Sequence, residues 1–129
     1  MTGNDSVRLQ RAYQDPTPDD GHRVLVDRVW PRGRTKEQLR LDAWHRELGP
    51  STGLRKWFGH DPVRWQEFRQ RYADEIHGRP EQLDELRSCA RSGRITLVFA
   101  AHDEAHNNAV VLRDVLLGRI GMPSETASL

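Results

Sequence analysis

Within the stretch Val26-Asp27-Arg28-Val29-Trp30-Pro31-Arg32-Gly33-Arg34 the chain presents a carboxylate, three guanidinium groups and an indole. Guanidinium forks match the planar, two-oxygen geometry of carboxylate and phosphate, so Arg28, Arg32 and Arg34, with Arg55 further on, suit an anion. The rings of Trp30, Trp57 or Phe58 could stack on a base or another ring. A second polar run, His102-Asp103-Glu104-Ala105-His106-Asn107-Asn108, supplies a side chain that can give or take a proton near neutral pH, His106, and amides that can hydrogen-bond a polar ligand. The candidate catalytic pair is therefore His106 and Asp27. The candidate ligand-binding set is Arg28, Trp30, Arg32, Ser51, Arg55 and Asn107. In this set the arginines hold the anion, and Asp27 orients them or a ligand hydroxyl.

Each polar run follows an apolar one, and that placement is the reason to join them. Arg23 to Val29 reads as a continuous strand, and Ile95 to Ala101 as a strand apolar on both faces, as in the middle of a parallel sheet. In open parallel sheets ligands sit beyond the carboxyl ends of the strands. If these two strands are parallel neighbours, both runs meet at one edge.

The remaining elements follow from periodicity and caps. Val7 to Arg11 alternates like a half-buried strand, and Asp15 to Gly21 is a turn-rich loop. Thr35-Lys36-Glu37-Gln38 fits a capping box, with Leu41, Trp44 and Leu48 then at helical spacing. Ser51 caps a short helix carrying Leu54, Trp57 and Phe58. Asp61-Pro62 opens a long amphipathic helix with the stripe Trp65, Phe68, Tyr72 and Ile76. After Gly78-Arg79-Pro80 another helix holds Leu83 and Leu86, and Asp103 caps a last helix over residues 105–117 with Gly118 as its stop. His22, His45 and His77 have no partner pattern and read as exposed. Strands separated by helices indicate an α/β fold, a small, mainly parallel sheet flanked by helices. One layered domain over residues 1–129 is expected, with an ordered core at about 7–118 and a polar tail at 122–129.

Composition narrows the classes. A chain of 129 residues with net charge +1 is long enough for one core. No stretch approaches the roughly 20 apolar residues of a membrane helix, the first residues lack a secretory signal pattern, and Cys89 is the single cysteine, so a cytoplasmic protein is expected. Residues 21 to 72 carry 12 Arg and Lys against 6 Asp and Glu, while the rest carries 8 against 13. A basic centre in a near-neutral chain points to an anionic small molecule, a nucleotide among the candidates, ahead of a broad nucleic-acid surface. A nucleic-acid binder using this basic region and a non-catalytic regulatory module are the alternatives. No metal site is expected: His102 and His106 have zinc-protease spacing, but Asp103 stands where that motif needs Glu. No phosphate loop, dinucleotide fingerprint or nucleophile elbow occurs, so no cofactor is expected. Oligomeric state and reaction are open.

The run Val24-Leu25-Val26-Asp27-Arg28-Val29-Trp30-Pro31-Arg32-Gly33, then Trp44, Pro50-Ser51, Leu54-Arg55, Phe58, Phe68 with Tyr72, and His106-Asn107-Asn108-Ala109-Val110-Val111-Leu112 resemble the YeaO-like branch of the domain of unknown function (DUF) 488 family. The resemblance covers roughly residues 7 to 117. It implies a small cytoplasmic α/β protein of bacterial or archaeal type and no particular reaction. The family pattern often places His where this chain has Asn108, a departure that weighs against acid–base catalysis by that position.

Overall fold

The computed structural model describes residues 6–120. The expected tail at 122–129 lies outside them. Four strands form one sheet in the order β1-β4-β2-β3: β1 is Val7–Arg11, β2 His22–Leu25, β3 Ala43–Trp44 and β4 Ile95–Phe99. Every pairing is parallel, with Leu9 opposite Leu97 and Val24 also opposite Leu97. The fold is α/β, as the alternation of strands and helices predicts. Five helices accompany the sheet: α1 Lys36–Leu39, α2 Thr52–Phe58, α3 Trp65–His77, α4 Pro80–Ser92 and α5 Asn108–Leu116.

Strand periodicity sorts the core. Val24, Val26, Ile95, Leu97 and Phe99 join the large cluster made with α3, α4 and α5, including Phe68, Tyr72, Ile76, Leu86 and Leu112. The alternate residues Leu25 and Val98 face the other side, where Ala12 and Leu39 complete a small cluster flanked by Trp30, Leu41 and Trp44. β4 is buried at all five positions, as its unbroken apolarity predicts.

Three expectations change. The capping box at Thr35 forms, with its side chain accepting from Gln38 N, but the helix it starts ends at Leu39, and Arg40 takes a left-handed conformation at φ 47°. The apparent helical series splits because its members serve opposite faces: Leu41 and Trp44 pack on the small cluster and Leu48 on the large one. Trp44 instead belongs to β3, which occupies the free edge of β2 through Asp42 N to Arg23 O at 2.8 Å and His45 N to Leu25 O at 3.0 Å. Left bare, that edge would expose unpaired backbone groups. Next, the β2 strand stops at Leu25; Val26 still donates to Val98 O at 3.1 Å, but Val29 is 56% exposed. Last, His45 is buried, its Nε2 3.4 Å from Glu85, while His22 and His77 are half-buried.

At the amino edge of the sheet, buried Asp20 pairs with buried Arg23 at 2.6 Å and with Arg8 at 3.5 Å. Burial by itself would raise the Asp20 pKa, but hydrogen bonds from Thr17 and Arg23 hold it below its ordinary value. A carboxyl group lowered in this way stabilises the fold above its unfolded pKa of about 3.9, and the contribution is lost as pH falls through the folded value. Asp20→Asn is expected to cost about 3–5 kcal/mol at pH 7, since it leaves Arg23 buried without its counter-charge. Urea unfolding of both proteins down a pH series should show the gap closing below about pH 4; a constant gap would mean that the pair contributes by shape alone.

Candidate functional site

β2 and β4 are neighbours and parallel, so the chain leaves both at the same edge. From there Asp27 takes over the role of strand pairing with its side chain. Its Oδ2 accepts from Ala100 N at 3.0 Å and its Oδ1 from Asn108 Nδ2 at 2.8 Å, and the same Asn108 amide donates to Val26 O at 3.0 Å. One carboxylate thus connects the end of β2, the end of β4 and the first turn of α5. Burial is the main influence on it and raises its pKa, against the opposing hydrogen bonds from Asn108 and Ala100 and the charge of Arg55. Below it, buried Tyr72 donates its hydroxyl to Leu48 O, and burial followed by the charge of Asp27 pushes the phenol up.

Above Asp27 lies a cavity of about 620 Å³, within the size range of small-molecule sites. Asp27, Arg28, Trp30, Arg32, Arg55, His106 and Asn107 all line it, which brings together seven of the eight residues expected from the sequence. Ser51 is the exception. Its Oγ caps α2 by accepting from Leu54 N and donates to Glu75 Oε2 at 2.6 Å, and it is not part of the cavity wall.

The loop from Arg28 to Arg34 is pinned mainly through backbone carbonyls. Tyr13 Oη donates to Arg32 O, Trp30 Nε1 to Arg34 O, and Arg34 Nε to Ala12 O, at 2.7–2.9 Å. Arg28 Nε donates to Gly49 O at 3.0 Å and Pro50 O at 2.9 Å. The packing there is close: a Cβ on Gly49 would stand 2.7 Å from Arg28 N. By contrast, among the described residues the guanidinium groups of Arg32 and Arg55 make no hydrogen bond or ion pair. The ion pair between Asp27 and an arginine that would make this loop purely structural does not form.

On the opposite wall the expected cap moves. Asn107, not Asp103, caps α5, accepting from Val110 N at 3.0 Å and donating to Asp103 O at 2.9 Å. Its amide, 2% exposed, is therefore engaged at both ends by its own chain. Asp103 accepts from Ala105 N and His106 N and meets His106 Nδ1 at 3.0 Å; these backbone and side-chain hydrogen bonds lower its pKa. His106 stands edge-on to Trp65, ring centroids 5.1 Å apart. His102 and His106 both precede α5, so they do not share a helix face, and no cluster of three metal-ligating residues occurs among the described residues.

Sequence reasoning missed Tyr13, His60 and His102 in the wall and the structural weight of Asn108. Tyr13 was within reach of the same rule that found Asp27, since it follows the carboxyl end of β1. His60 enters from the α2–α3 connection at φ 57°, and no spacing marks it.

Comparison with known proteins agrees with the family resemblance read from the sequence. A family model described as the inactive DUF488-N3 subclade matches residues 6–128. The chain is 42% identical over 119 residues to the uncharacterised protein Rv3073c of Mycobacterium tuberculosis (strain H37Rv), covering 92% of this chain and all of that one. It is 38% identical over 111 residues to the uncharacterised protein YeaO of Escherichia coli (strain K12), covering 86% and 96%. No solved structure matches. Among the described residues no helix is long and apolar enough to cross a membrane.

The Asp27–Asn108 bond makes a direct prediction. A carboxyl group raised in the folded state adds stability below its unfolded pKa and loses it as pH rises through the folded value. Carboxyl NMR titration should find Asp27 above its ordinary range, and Asn108→Ala should move it higher while costing about 1–3 kcal/mol, because the carboxylate loses a donor. An Asp27 that titrates below the ordinary range would contradict the arrangement.

Proposed function

The chain belongs to the DUF488 family, in the subclade described as inactive, and from that premise we propose that it binds a small anionic molecule at the carboxyl edge of its sheet without transforming it. The observation that carries this reading is the pair Arg32 and Arg55, two cations on one cavity wall that make no hydrogen bond or ion pair among the described residues, Arg55 acting on Asp27 only through its charge. Unpaired guanidinium groups next to apolar surface repel each other and favour an incoming anion. Arg28, held by its Nε on two backbone carbonyls, adds positive potential from the same loop. Trp30 and Phe58 supply apolar wall for the rest of the ligand, as in most small-molecule sites.

On this reading Asp27 and His106 have binding roles. Asp27 faces the cavity, where its carboxylate oxygens can accept from a ligand; His106, set by Asp103, offers its remaining ring nitrogen. Asn107 acts by holding α5 and the loop before it.

The nucleic-acid alternative has less support. Of the basic residues between 21 and 72, Arg23 is buried on Asp20, Arg69 meets Asp114, Arg71 meets Glu67 and Arg64 meets Asp61. These four of the twelve are answered within the chain, which thins any basic stripe, while Arg28, Arg32 and Arg55 gather on the cavity wall.

Arg32→Ala is expected to leave folding stability within about 0.5 kcal/mol, as for an exposed side chain with no partner. In thermal melts with inorganic phosphate and with a mixture of nucleoside monophosphates, the wild type should gain about 2.7 kcal/mol at a hundredfold excess over Kd, and Arg32→Ala and Arg55→Ala much less. A wild type that responds to none of these anions, with Arg32→Ala strongly destabilised, would make the loop scaffolding and end this reading.

A further inference from the structure

We propose that the cavity is built for a guanine-type nucleotide, with the base edge on Asp27 and the phosphate on Arg32 and Arg55. This rests on the anion reading above and concerns the other end of the ligand. A carboxylate in the wall would repel a bare phosphate, and Asp27 lines this wall besides joining the strand ends. Asp27 is there, and its bonding pattern is specific. A carboxylate has about four acceptor positions. On Asp27, Oδ1 receives Asn108 and Oδ2 receives Ala100 N, one donor each. No arginine closes the remainder: Arg28 Nε is committed to Gly49 and Pro50, and Arg55 influences Asp27 by its charge from beyond ion-pair distance. By that count one acceptor position is left on each oxygen of a carboxylate that lines the cavity.

Two parallel acceptors call for two parallel donors. Guanine presents such a pair in its ring N–H and its 2-amino group, and the ring remains neutral. Adenine presents a ring lone pair next to its amino group, and that lone pair would face the carboxylate. The walls agree with a flat ring: Trp30, Phe58, Phe68 and Tyr13 surround the space with aromatic surface. A volume of about 620 Å³ accommodates a mononucleotide. The two neutral N–H donors of the base would satisfy Asp27, while the phosphate dianion would meet Arg32 and Arg55, which make no hydrogen bond or ion pair among the described residues.

The test uses the wild-type protein and changes the ligand, because Asp27→Asn would set its NH₂ against either the Asn108 amide or the Ala100 N–H and could unfold the site for that reason alone. Calorimetric titrations with guanosine, inosine and adenosine monophosphates and with inorganic phosphate should rank them in that order. Inosine monophosphate lacks only the 2-amino group, so it should bind about tenfold or more weakly than its guanine counterpart, the loss of one hydrogen bond to a charged acceptor. Adenosine monophosphate should fall below inosine monophosphate, keeping only its ring and phosphate contacts. Equal affinity for all three nucleotides overturns the base recognition and leaves the anion site standing. Binding by none of the four overturns both. Binding of a guanine-containing single-stranded oligonucleotide in preference to the free nucleotide overturns the proposal in favour of nucleic acid.

Discussion

The carboxylate of Asp27 is the joint on which the carboxyl edge of this protein depends. β2 and β4 run side by side until Val26, and beyond that point backbone pairing ends. Asp27 continues it with a side chain, taking Ala100 N on one oxygen and Asn108 on the other. Burying a carboxylate is unfavourable, and its raised pKa is the sign of that cost. The hydrogen bonds offset part of it and hold three separate chain segments around one space. Arg11, donating to Ala101 O at 2.9 Å, and the packing of α5 in the large cluster share the task of holding these segments.

Around the joint, the molecule separates what is fixed from what is free. Helices α3, α4 and α5 pack the large cluster against one face of the sheet, while Leu39, Trp30 and Trp44 cover the other. The loop after β2 is fastened by donors from Tyr13, Trp30 and Arg34 to backbone carbonyls, and by the close approach of Gly49 to Arg28. Because these fastenings use the backbone of Arg32 and not its side chain, its guanidinium stays available without loosening the loop. The loop backbone is thus held in place independently of the charge it carries.

Much of this was legible in the residues. The apolar run Ile95–Phe99 marks the central strand, and the polar runs after two such strands mark the edge where a parallel sheet keeps its site. What was not legible depends on long-range partners. The series Leu41, Trp44 and Leu48 has helical spacing, yet the free edge of β2 recruits Trp44 into a strand. Asp103 and Asn107 are both good caps, and each is used: Asp103 accepts from Ala105 N and His106 N in the loop, while Asn107 starts α5. Ser51 has the chemistry of a ligand contact, but Glu75, 24 residues away, claims its hydroxyl. His45 shows no pattern because its partner Glu85 comes from α4.

The most direct test of a binding site at this edge is an amide and indole NMR titration of the folded protein with guanosine monophosphate. The account predicts saturable shifts at Ala100 N–H, the Asn108 side-chain amide and the Trp30 indole, with the amino-edge residues Gly21 and Thr96 unmoved. Shifts centred on the amino edge, or none at the Asp27 joint up to millimolar ligand, would contradict it.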